Sequence, residues 1–190
     1  TDATNDKITI ASTGGRGGRA SEISFRAHRN GVNQSIAAST YDQVEFTHTD
    51  FNVGGKFDTS TYRFTPGVAG RYILNAGATL DNVANNKAVY LYIRKNGTII
   101  VGEAMVTFSG FSDPFMDVSA AVEADTDDYF DVAIFHNDAV ARDAFGAATN
   151  TYFEGHSVAG GGGATGATGA TGAGGDAFKT IDVNDSDSGF

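Results

Sequence analysis

The 190 residues carry 13 Lys and Arg against 23 Asp and Glu, a formal net charge of -10, with 41% hydrophobic and 19% charged residues. That composition suits a packed core rather than wholesale disorder, and the acidic balance repels a phosphate backbone and so argues against nucleic acid as a partner. With no cysteine, disulfide frameworks, zinc-thiolate sites and thiol nucleophiles are excluded, and no apolar run reaches the roughly 18 residues of a membrane-spanning helix, so no membrane insertion is expected.

Four zones follow in chain order. Residues 1–20 open without Met and without the basic and apolar stretches of a signal peptide. They contain a short alternating strand, Lys7-Ile8-Thr9-Ile10-Ala11, then the linker Gly14-Gly15-Arg16-Gly17-Gly18-Arg19. Two arginines in so acidic a chain argue against an RNA-binding reading of that linker. The start and the end, Asp187-Ser188-Gly189-Phe190, read as cuts within something longer.

Residues 21–159 read as all-β. Val89-Tyr90-Leu91-Tyr92-Ile93 alternates aliphatic and aromatic residues, which predicts a strand covered on both faces. Asn96-Gly97 supplies the positive φ angles of a type I′ hairpin turn into Thr98-Ile99-Ile100-Val101. Asn30-Gly31 is a second turn signal. Tyr129 to Phe135 predicts another strand, with Phe130, Val132 and Ile134 on one face. No long segment keeps a 3.6-residue period, so no substantial helix is expected, and short strands parted by Gly and Asn suggest a sandwich or barrel.

Residues 160–175 place Gly163, Gly166, Gly169, Gly172 and Gly175 at every third position, with mainly Ala-Thr between them. Residues 176–190 return to ordinary composition, with a predicted strand at Phe178-Lys179-Thr180-Ile181-Asp182-Val183.

The most specific stretch runs from Phe46 to Tyr72. Asp58-Thr59-Ser60-Thr61 is turn-prone, because short polar side chains bond nearby backbone groups. Phe57 and Phe64 flank it and anchor its ends. Pro66-Gly67 and Gly70 set the bend before a strand on which Tyr72, Leu74 and Ala76 share one face. The order and spacing of Phe46, Asn52, Phe57, Phe64, Gly70 and Tyr72 resemble the signature of the C1q domain family at every position. Leu74 and Ala76 depart from it, standing where the family prefers aromatic residues, which implies a repacked core. Ser24-Phe25-Arg26-Ala27-His28 is similar to the family's opening strand, Leu91 to Gly97 to its central hairpin, and Thr151-Tyr152-Phe153-Glu154-Gly155 to its closing strand. The resemblance covers residues 21–159. It implies a C1q/TNF-like jelly-roll sandwich that packs as a homotrimer, and it does not select a ligand.

The flanks resemble phage structural proteins. The Gly-x-x run is similar to collagen or to glycine-rich segments of phage fibres, since only Gly fits a triple-helix axis; a flexible Gly/Ala/Thr linker is the alternative. The Phe178 to Val183 phrase is similar to the opening of a β-unit repeated in long phage proteins, and Thr1 to Ile10 to its close. Residues 1–20 are thus expected to end one unit plus a linker, 160–175 to be a connector, and 176–190 to start the next unit.

Catalytic signatures are sparse. The sequence has no P-loop, no Gly-x-Ser-x-Gly elbow and no recognisable carboxylate pair. The four histidines, His28, His48, His136 and His156, lack metal-type spacing. No enzyme and no cofactor is expected. The acidic run Glu123, Asp125, Asp127, Asp128 and Asp131 offers hard oxygen ligands. Because some C1q-family trimers bind calcium, Asp125, Asp127 and Asp128 are calcium candidates; a solvated loop that blocks edge association is the plainer alternative. Tyr62, Tyr90, Tyr92 and Tyr152 are candidates for stacking on sugars, against core or interface roles.

Together these features point to a virion fibre protein with a homotrimeric C1q-like module. Its partners would be other virion structural proteins and a host cell-surface glycan or protein, bound by three linked weak sites. The alternatives are a capsid- or neck-attached decoration protein and a bacterial surface adhesin.

Overall fold

The computed structural model describes residues 22–158 apart from 108 and 111. The expected strands at Lys7 to Ala11 and Phe178 to Val183, the glycine triplets from Gly163 to Gly175, and the flanking units 1–20, 160–175 and 176–190 lie outside the described residues.

All regular structure among the described residues is β. The first strands are β1 (Ser24–His28), β2 (Gln34–Ile36), β3 (Asp42–Gln43) and β4 (His48–Val53). Then come β5 (Phe57–Asp58), β6 (Arg63–Phe64), β7 (Gly70–Thr79), β8 (Ala88–Lys95) and β9 (Ile99–Thr107). The series ends with β10 (Phe115–Ala124), β11 (Phe130–His136), β12 (Arg142–Ala144) and β13 (Tyr152–Ser157). One sheet has the order β10-β7-β13-β1-β4; the other has β5-β6-β11-β8-β9, with β3 also on β11; β12 and β2 form a small pair. Every pairing is antiparallel. The expected sandwich is therefore present, and its core lies between the two sheets.

The expected hairpin is realised: Asn96 and Gly97 both take positive φ, 55° and 74°, and Thr98 N–H donates to Lys95 O. β8 is covered on both faces as its composition requires, with Val89, Leu91 and Ile93 fully buried in the sandwich. β10 alternates strictly between exposed and buried residues. Its inward set, Met116, Val118, Ala120, Val122 and Ala124, is the period-two signal of a half-buried strand, one beyond those predicted from the sequence.

The signature residues acquire physical roles. Phe46, Phe57, Phe64 and Tyr72 are buried core residues. Phe25 is the centre of the aromatic cluster, with ring centroids 4.6 Å from Phe64, 5.0 Å from Phe153 and 5.1 Å from Phe57. Asn52 acts as a backbone clamp: Oδ1 accepts from Lys56 and Phe57 N–H at 2.9 and 3.1 Å, and Nδ2 donates to Phe57 O at 2.8 Å. The Asp58 turn closes as expected, its carboxylate accepting from Ser60 N–H, Ser60 Oγ and Thr61 Oγ1. One detail differs. Gly67, at φ 68°, carries the left-handed bend, whereas Gly70 is already in β7 opposite Ala124. Leu74, where the family prefers an aromatic residue, leans over Gly155, whose missing Cβ would lie 2.5 Å from Leu74 Cδ2 and 2.9 Å from Phe25 Cε1. A smaller side chain on β7 is thus matched by close packing across β13.

Candidate interaction surface

The outward face of the five-stranded sheet is set by register. Phe25, Gly155, Leu74 and Ala120 form one lateral row pointing into the core, so the rows on either side point outward. Those rows are Ser24–His156–Ile73–Ala121 and Arg26–Glu154–Asn75–Ser119, with His28–Tyr152–Gly77–Asp117 beyond. A register shift between Arg26 and Ala27 bulges β4 against β1 and brings Asp50 onto this face.

This face carries an open pocket of about 270 Å³ lined by Ser24, Phe25, Phe51, Asn75, Glu154, Gly155 and His156. Arg26 governs its polar rim, bridging Glu154 and Asp50, donating to Ala148 O, and lying 4.7 Å over the Tyr152 ring. Beside the pocket on the edge strand β4, Phe51 and Val53 are 46% and 47% exposed. At the other side of the sandwich the edge strands β9 and β10 meet, where Gly102 packs on Val118 and Ala120. That side exposes Ile99, Ile100, Met105 and Phe115. Exposed apolar side chains therefore lie at both lateral edges of one protomer, Met105 pointing out of the six-stranded sheet and Phe115 out of the five-stranded sheet, and each edge includes a strand with unpaired backbone groups.

The calcium candidates sit elsewhere and do not converge. Among the described residues no three His, Asp or Glu side chains gather in a metal-binding arrangement. Asp128 accepts from the Asp125 backbone N–H and Asn96 Nδ2 and pairs with Lys95 Nζ at 2.6 Å. Asp131 is held by Arg94. Glu123, Asp125 and Asp127 are exposed, in keeping with the solvated-loop alternative, whereas Asp128 and Asp131 are buried staples between the β8–β9 hairpin and the start of β11.

The Asp125 N–H, then Lys95 and Asn96, hold the Asp128 carboxyl down to about 2, against the opposing effect of burial. A depressed folded-state value stabilises the protein above the ordinary carboxylate range of about 4, and that contribution is lost as pH falls through about 2. Thermal melts between pH 6 and pH 2 test this: Asp128→Asn should lower Tm at the upper end, and its difference from wild type should shrink towards about pH 2.

Three of the four tyrosines proposed for sugars, Tyr90, Tyr92 and Tyr152, pack a ring face against a neighbour. Tyr90 and Tyr92 stack on each other, 5.9 Å apart at 3°, and Tyr41 and Phe135 close around them. Tyr92 is only 5% exposed, and burial pushes its hydroxyl well above the ordinary phenol value. Tyr152 lies beneath Arg26, and Tyr62 is a turn residue at φ 59°. Sequence reasoning missed the pocket and the pairing of His28 with His48, whose ring centroids are 6.1 Å apart. His28 and His48 are brought together by the β1–β4 register alone, and no local signal marks it.

The sandwich order and the face it presents allow a comparison with known structures. The globular domain of zebrafish complement 1qA matches at TM-score 0.52 and 17% identity, over 72% of this chain and 97% of that one. The Eiger TNF of S. frugiperda matches at 0.52 and 12% identity, over 73% and 93%. Murine APRIL matches at 0.53 and 12% identity, over 72% and 99%. The fold is the C1q/TNF jelly roll. No protein-family model matches the sequence, and no curated protein does. At these identities the likeness concerns fold alone, and the fold class expected from the Phe46 to Tyr72 pattern is the one observed. Among the described residues no helix is long and apolar enough to cross a membrane.

Proposed function

We propose that this C1q/TNF-type domain is a non-enzymatic, self-associating structural module of an extracellular fibre, a homotrimer that presents three copies of its loops to a host surface. The observation that carries the reading is that exposed apolar residues lie at both lateral edges of the protomer, in unlike settings. A head-to-tail interface needs two different complementary patches on one chain, and a rotation that closes turns it into a ring. The β9–β10 edge, with Ile100, Met105 and Phe115, is one partner, and the β4 side with Phe51, Val53 and the pocket is the other. Closure covers both edges, which otherwise invite aggregation.

The virion setting draws its support from the sequence, from the glycine triplets after the domain and from the terminal phrases similar to phage β-units. Light scattering on the 190-residue chain should give three times the protomer mass, and a stable monomer overturns the reading. Phe115→Asp should weaken self-association roughly tenfold to a hundredfold, because a charge then enters an apolar contact, while circular dichroism keeps its β signature. Electron microscopy of the particle separates a tail fibre from the decoration alternative, in which the protein sits on capsid or neck and its deletion leaves adsorption intact.

A further inference from the structure

Three of the four histidines, His28, His48 and His156, lie on the sheet face that the homotrimer reading covers. Asn30, in the Asn30-Gly31 turn at φ 55°, clasps two of them. Its backbone N–H donates to His28 Nδ1 at 2.9 Å, and its amide Nδ2 lies 3.1 Å from His48 Nε2. With those donors assigned, both nitrogens are acceptors. The remaining nitrogens donate: His28 Nε2 faces Asp50 Oδ1 at 3.2 Å, and His48 Nδ1 faces Thr47 Oγ1 at 3.1 Å.

The other charged groups around the pair are already engaged. Arg26, on the outward side of β1, is bridged by Asp50 and Glu154. From β13, Tyr152 stands beside His28 in the register, with Asp117 of β10 further along the row. Arg29 turns away to Gln34 and Glu45. Asp50 is thus the only carboxylate in contact with the pair among the described residues, and it is shared with Arg26.

We infer that this histidine clasp makes self-association through the sheet face acid-sensitive. A protonated imidazole has no lone pair for the Asn30 N–H, so acid forces Asn30 out of the turn that borders β1. Two protonated rings in stacked contact also repel. The clasp therefore closes only while both acceptor nitrogens keep their lone pairs. The inference rests on the homotrimer reading, since a covered face is what the opened clasp disturbs.

Sedimentation velocity on the 190-residue chain at about pH 7.5 and about pH 5.5 tests it. Wild type should associate at least roughly tenfold more weakly at the lower pH, and the His28→Gln/His48→Gln variant should differ by less than about twofold between the two. Equal association of wild type at both pH values, or the same acid loss in the double variant, overturns the inference and leaves the homotrimer standing. A monomer at the higher pH overturns the homotrimer, and the inference with it. Should the double variant not fold, the backbone and side-chain amide signals of Asn30 in wild type decide by NMR: movement in step with the His28 and His48 rings supports the clasp, and pH-independent signals overturn it.

Discussion

Replacing Gly146 with alanine should destabilise the domain by about 3–4 kcal/mol, read as a fall in the urea midpoint at unchanged slope. The cause is backbone against backbone. A Cβ on Gly146 would fall onto the N, C and O atoms of Val32. The two segments are also tied, Gly31 N–H donating to Gly146 O at 2.7 Å and Gly146 N–H to Asn33 Oδ1 at 2.9 Å. A flexible side chain could swing away from a new methyl, but Val32's peptide cannot move without breaking the Asn30-Gly31 turn and its bond to Gly146. Gly31→Ala, where a Cβ meets open space, is the control; its cost arises only from φ 81°, and it should be milder, on the order of 1 kcal/mol.

Arg94→Met should cost roughly 3–5 kcal/mol, a loss comparable to or larger than that of Gly146→Ala. Arg94 and Asp131 are direct cross-strand neighbours on β8 and β11. Their contact is two-pronged, Nε to Oδ1 at 2.8 Å and Nη2 to Oδ2 at 3.0 Å. Asp131 is 1% exposed, so removing the guanidinium strands a buried carboxylate. The double variant Arg94→Met/Asp131→Leu should recover most of the loss, because no charge is then left without a partner. Chemical denaturation of the four members of the cycle gives the coupling. A double variant as unstable as Arg94→Met alone would place the effect in packing rather than charge.

The parts of the fold legible in the sequence are those whose cause is local. Asn96-Gly97 predicts its turn because the backbone angles needed there are ones that Asn and Gly adopt readily. The Phe46 to Tyr72 spacing predicts core positions, and those four aromatic rings are buried. β10 is less legible, although its five inward apolar residues recur at period two, because two of them are alanines and the exposed set begins with Phe115. Asp131 reads as one more acid in a charged run, since its partner is 37 residues away.

The candidate surface is less legible, for a related reason. His28 and His48 look scattered at a separation of 20 residues, yet the β1–β4 register makes them directly opposite. The pocket collects residues from β1, β4, β7 and β13, and none of these segments shows it alone. Tyr90 and Tyr92 are open to sugar stacking or to core and interface roles in the sequence, and only the structure shows them stacked on each other.

By itself, then, the sequence determined the fold class, the hairpin turns and the aromatic core, since each follows from short-range periodicity, turn chemistry and side-chain volume. Only the tertiary structure decided which residues share the outward sheet face, which carboxylates are paired and buried, and that Asn30 joins two histidines. Those depend on strand register, and register is set by the whole packed sheet rather than by any one segment of it.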